Sequence, residues 1–73
     1  MKNQLKVFRA IKNMTQDELA KAVSVSRQTI YAIESSKYVP STILALKLAA
    51  IFETAVENVF ILEPSDFSNK ESF

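Results

Sequence analysis

Three residues, Ser24-Val25-Ser26, are all that separates two stretches of helical pattern in this chain. The first stretch opens on "TQDE" at 15–18, a capping box in which Thr15 accepts from backbone amides while Glu18 reaches back. The second opens on Ser26, an N-cap side chain, and carries Ile30 and Ile33 on one side. A gap this short makes the two helices cross steeply instead of lying as an antiparallel hairpin. Ala20 suits such a crossing, because a small side chain lets the next helix approach. Val25, Ile30 and Ile33 fill the space behind the turn, so Arg27, Gln28 and Tyr31 must face out, with Thr29 near the boundary.

The rest of the chain repeats the helical signal. Leu5, Phe8 and Ile11 recur every third residue, and Asn13, which tolerates the left-handed backbone, ends that helix. Leu19, Ala20 and Val23 form the inner face of the second helix. Pro40 closes the loop after the third, and Ser41 caps a fourth with Ile43, Leu46, Ala49 and Phe52 inward. "TAVE" at 54–57 reads as a second capping box, opening a short fifth helix with Val56, Val59 and Phe60. The expected fold is therefore all-α: a compact five-helix bundle over residues 1–62. "VFILE" at 59–63 is apolar and β-branched enough to form a short C-terminal strand. Residues 63–73 are polar and aperiodic, a tail expected to be disordered or dimer-associated, with Phe67 and Phe73 able to dock on a surface.

Composition removes whole classes of function. Seventy-three residues make one domain, and without cysteine there is no disulfide to support it, which points to the cytoplasm. Histidine is absent too, so the chain lacks the usual zinc ligands, a catalytic imidazole and a thiol nucleophile; no cofactor, no metal site and no enzyme is expected. The adjacent acids Asp17 and Glu18 belong to a helix N-terminus, which favours negative charge, and not to an acid–base pair. No apolar run is as long as a membrane span, and "MKNQLKVF" lacks the apolar segment of a signal peptide, so a soluble protein without membrane contact is expected.

Net charge is only +1, yet it is unevenly placed. Residues 1–38 hold seven Lys or Arg against three acids, a balance of +4, while residues 39–73 hold two against five, a balance of −3. A polyanion partner responds to where positive charge lies, and that is the first half. The outward side chains there suit the major groove of DNA: Arg27 can donate two bonds to guanine, Gln28 can pair with both edge groups of adenine, and Thr29 offers a hydroxyl and a methyl. Gln16 opens the second helix, where it can anchor to a phosphate, and Lys37 and Tyr38 follow the third. Tyr31 has three open roles: a phosphate contact, a thymine methyl, or packing across its helix. Tyr38 divides between packing over Pro40 and binding phosphate, and Lys6 and Lys12 read as solvated surface charges.

At this point "TQDELAKAVSVSRQTIYAIESSKYVPS" resembles the helix-turn-helix core of the phage-repressor-like (Cro/C1, Xre-type) transcriptional regulators. The resemblance spans residues 1 to about 62 and rests on Gln16, Leu19-Ala20, Val25-Ser26, Ile30, Ile33-Glu34, Lys37 and "PSTILALKLA". It implies a lambda-repressor-like fold, backbone contact from Gln16 and Lys37, and base reading by Arg27, Gln28 and Tyr31 with Ser26 and Thr29 close by. It also implies a structural ion pair between Arg9 and Glu34. The family favours glycine at helix ends, yet this chain has none where average usage gives about five. Asn13, Ser24, Ser36 and Glu53 stand at those points.

The function expected is sequence-specific binding of double-stranded DNA by a transcriptional regulator, most simply a repressor on a near-palindromic operator. One module this small makes a small interface with DNA, so a homodimer is expected. Ile51, Phe60, Ile61, Leu62 and Phe67 place it on the fifth helix and the segment after it. Two rivals remain: a DNA-binding antitoxin, and an interaction module that kept the fold and lost DNA binding.

Overall fold

The structure is a computed structural model that describes residues 1–68 of the 73, so the docking expected of Phe73 lies outside the described residues. The chain begins with a two-residue strand β1 (Lys2–Asn3), followed by α1 (Leu5–Ile11), α2 (Gln16–Ala22), α3 (Arg27–Glu34), α4 (Thr42–Ile51) and α5 (Val56–Val59). Strand β2 (Phe60–Ile61) and a last turn of helix, α6 (Pro64–Phe67), complete it. All five expected helices form. The strand expected in "VFILE" is β2, and it pairs antiparallel with β1 in the register Lys2↔Ile61 and Asn3↔Phe60.

The core is one cluster drawn from every long helix: Leu5, Leu19, Ala20, Val23, Ile30, Ile33, Leu44, Leu48, Ala49, Phe52 and Val59. Phe8 lies against it, its ring stacked on Phe52 with centroids 5.5 Å apart. Caps start α2, α3 and α4 as the sequence requires. The Thr15–Glu18 box closes in both directions, Ser26 Oγ accepts from the Thr29 amide, and Ser41 Oγ accepts from the Leu44 amide.

Four helix ends share one geometry. Asn13, Ser24, Ser36 and Glu53 all have positive φ, between 56° and 62°, and no cis peptide accompanies them. After each, the next amide reaches five residues back: Met14 to Arg9, Val25 to Ala20, Lys37 to Ala32 and Thr54 to Ala49. These are Schellman closures, in which glycine ordinarily takes the left-handed position. Here Asn, Ser or Glu does, at a cost of about 1 kcal/mol each, less for Asn.

Four expectations need correction. Ile11 is exposed, not part of the α1 inner face, because α1 turns Leu5 and Phe8 inward and ends at Ile11. Ile43 and Leu46 are 69% and 54% exposed, while Leu44 and Leu48 take the buried positions beside Ala49 and Phe52. The reason is that α4, "TILALKLAAI", is apolar on nearly every side, so spacing alone does not fix which side faces in. The second capping box does not form. The Thr54 amide is committed to closing α4, α5 starts from Ala55 with no side-chain cap, and the Thr54 hydroxyl accepts from Asn58 Nδ2 instead. In the segment read as an aperiodic tail, α6 forms behind a box between Glu63 and Asp66, and the Met1 ammonium pairs with both acids.

Candidate nucleic-acid interface

Polar ties and the core hold α3 in place. Ile30 and Ile33 are fully buried, and Asn3 Nδ2 donates to the Ile33 carbonyl at 2.8 Å while Asn3 Oδ1 accepts from the Leu5 amide. The Glu34 carboxylate receives Arg9 Nε at 2.8 Å, the expected ion pair, and Arg9 also donates to the Met14 carbonyl at 3.0 Å. So α1, the turn after it and the end of α3 are fastened together, which sets the angle at which α3 meets solvent.

On its outward edge α3 carries Arg27, Gln28 and Tyr31, all exposed, with Thr29 half-buried. Shallow hollows flank this edge on both sides. On one side Arg27, Gln28 and Tyr31 meet Gln16 of α2, and Gln16 and Arg27 continue to Arg9, Thr15 and Asp17. On the other, Gln28 meets Ser26, Thr29, Ala32 and Tyr38. Gln28 lines hollows on both flanks and so forms the crest. Tyr38 lies beside α3, about half exposed. Lys37 is exposed just past the α3 closure.

Ser26 and Thr29 are brought to the site but are engaged in it: their hydroxyls bond each other at 3.0 Å while Ser26 caps the helix. The Arg27 side chain, by contrast, makes no hydrogen bond or ion pair among the described residues, leaving its five N–H donors outward. Two residues outside the expected set border the same face. Lys6 and Ser35 line a hollow with Arg9, Gln16, Tyr31 and Glu34, so Lys6 adds its charge at the α1 rim of the same face. A lysine three residues before the paired Arg9, one helical turn away, is the signal that could have found it. Among the described residues no group of acids, His or Cys is arranged to hold a metal ion. No helix of the described residues is long and apolar enough to cross a membrane.

Two helices joined by the four residues 23–26, the second presenting an uncovered polar edge, define a helix-turn-helix protein. A helix-turn-helix family model matches residues 5–57. An uncharacterized HTH-type transcriptional regulator of Methanocaldococcus jannaschii is 53% identical over 66 residues, covering 90% of this chain and all of that protein. A second, from Bacillus subtilis, is 48% identical over 63 residues, covering 86% of this chain and 96% of the relative. Among solved structures, a hypothetical transcription factor from Neisseria superposes with a TM-score of 0.72 at 25% identity, over 86% of this chain and 70% of its own. The chain belongs to the Cro/C1-type, Xre-like family of helix-turn-helix transcriptional regulators.

Proposed function

We propose that the protein is a sequence-specific regulator that represses transcription by occupying a near-palindromic operator as a homodimer. The observation that carries the reading is the contrast between the two sides of α3: Ile30 and Ile33 are locked in the core while Arg27, Gln28 and Tyr31 stand uncovered. A major groove admits one α-helix, and those side chains match its donor and acceptor code. In this reading Arg27 donates to guanine, Gln28 pairs with adenine, and Tyr31 contacts a thymine methyl or a phosphate. Gln16, Lys37, Tyr38 and Lys6 hold the backbone on either side, and Ser26 and Thr29 serve the site by fixing where α3 begins.

The homodimer is supported by apolar surface left over once the core is filled. Val39, Ile43, Leu46, Leu62 and Phe67 are each more than half exposed, and Ile61 is 38% exposed. Val39 and Leu46 line a groove with Met1, Pro40, Val56 and Phe60. We place the second copy there, along α5, β2 and the adjoining flank of α4. Phe60, half-buried, is part of that lining, whereas Ile51 is half-buried against the core.

Selection from a random pool of duplex DNA tests the reading directly. The wild-type protein should enrich one sequence with two-fold symmetry. Arg27→Ala with Gln28→Ala should stay folded and lose that preference, each bidentate pair removed taking away about 1–3 kcal/mol of discrimination. Enrichment of the same sequence by the double variant would refute base reading by α3.

A further inference from the structure

The Glu34 carboxylate does more than neutralise Arg9. Its Oε1 accepts from Arg9 at 3.3 Å and, on the same atom, from Gln16 Nε2 at 3.1 Å. The Glu34 side chain is only 7% exposed, so it is a fixed acceptor. Gln16 stands at the centre of the polar face, lining the hollows that run to Arg27, to Gln28 and Tyr31, and to Lys6. An ionised carboxylate only accepts hydrogen bonds, so it dictates which end of the Gln16 amide faces it. The nitrogen turns toward Glu34, and its second N–H remains to donate outward. Without that partner the amide is free to rotate and present its carbonyl oxygen, which a phosphate repels.

We infer that Glu34 is a positioning residue for DNA binding, orienting the Gln16 amide so that it offers a donor to a backbone phosphate. This rests on the proposed DNA contact of Gln16. It assigns to a buried acid a favourable role toward a polyanion, opposite in sign to its charge. The same carboxylate ties α1, α2 and α3, so the phosphate anchor and the helix that carries Arg27 and Gln28 are set by one group.

The sign of the charge makes the test decisive. Binding of the selected duplex is measured by fluorescence anisotropy over a range of salt, with circular dichroism confirming the fold. Gln16→Met should weaken binding roughly tenfold, as expected when one hydrogen bond to a charged group is removed. Glu34→Gln should weaken it by a similar factor with an unchanged salt slope, because the donor that Gln16 supplies to the phosphate is uncharged. The double variant should be no weaker than either single one. Unchanged or tighter binding by Glu34→Gln, or a steeper salt slope from a released Arg9, overturns the inference while Gln16→Met still reports the phosphate contact. If Gln16→Met itself costs nothing, the underlying DNA reading of that residue has failed instead. A measurement on the wild-type protein stands even where Glu34→Gln does not fold. The two side-chain amide protons of Gln16, assigned by their loss in Gln16→Met, should exchange with solvent at unequal rates, one protected. Equal, fast exchange overturns the inference.

Discussion

Arg27 and Lys6 both line hollows that include Gln16, but they are suited to different work. Arg27 is the first residue of α3, the end proposed to enter a groove, and its planar fork matches guanine in two bonds. Lys6 is on α1 and offers a point charge to the duplex backbone. Lys6→Ala should therefore weaken binding by a similar factor for every sequence and reduce the salt slope by about 1, leaving the preferred sequence unchanged. A variant whose slope matches the wild type would remove Lys6 from the interface. The outward placement of Arg27 and Gln28 is legible in the sequence because the cap at Ser26 and the buried Ile30 and Ile33 fix which way they point. Lys6 is not legible in that way. Every exposed lysine of a helix looks alike until α1 packs on α3 and brings Lys6 beside Tyr31 and Gln16.

At the scale of elements, helix boundaries are easier to read than helix faces. Caps and closures are local chemistry: Thr15, Ser26 and Ser41 start helices, and Asn13, Ser24, Ser36 and Glu53 end them, all at the expected residues. Which side of α4 faces inward is decided by packing, and a helix apolar all round gives spacing nothing to distinguish. Strand β1 is two residues long and exists only through β2, so no local pattern announces it. The glycine-free closures carry a prediction. Ser24→Gly or Ser36→Gly relieves a left-handed position at about 1 kcal/mol, offset in part by the added freedom of the unfolded chain. Each should raise the thermal midpoint by about 2–4 °C, and the two together should add, since they close different helices. Asn13→Gly should gain less. A fall in the midpoint for Ser24→Gly would mean that its side chain contributes more than its backbone costs. Glu53 also joins two helices. The Lys12 ammonium bonds its carboxylate, tying the end of α1 to the end of α4 and holding the Glu53 carboxyl below its ordinary value of 4.5. A depressed carboxyl contributes stability that is present above 4.5 and lost as pH falls through the folded value. Lys12→Gln should accordingly flatten the acid side of the stability curve in melts between neutral pH and about pH 3, and an unaltered curve would show the pair to be screened away.

As a whole molecule, the protein separates two surfaces that a dimeric operator binder needs apart. The polar face of α2 and α3 belongs to the basic part of the chain. The apolar groove of Val39, Leu46, Val56 and Phe60 belongs to the acidic part, where Glu53, Glu57, Glu63 and Asp66 would be poor company for phosphates. A dimeric reader has to hold its two α3 helices ~34 Å apart, the separation of successive major grooves on one side of a duplex. Two copies joined at the groove would leave both α3 helices uncovered. A domain this small buries a limited core, so burying the groove against a second copy also adds stability that depends on concentration. Leu46→Asp is the discriminating change, because Leu46 is more than half exposed in the isolated chain and so not needed for the fold. The wild type should sediment as a dimer at micromolar concentration, and its thermal midpoint should fall by several degrees on hundredfold dilution. The Leu46→Asp variant should sediment as a folded monomer with a midpoint independent of concentration, and it should bind the full operator no better than a half-site. Ile11→Lys makes a matched comparison, since Ile11 is exposed to a similar extent but lies outside the groove, and it should leave all three measurements as in the wild type. If Leu46→Asp sediments and melts like the wild type, the second copy binds elsewhere, and the spacing of the two α3 helices has to be derived from a different face.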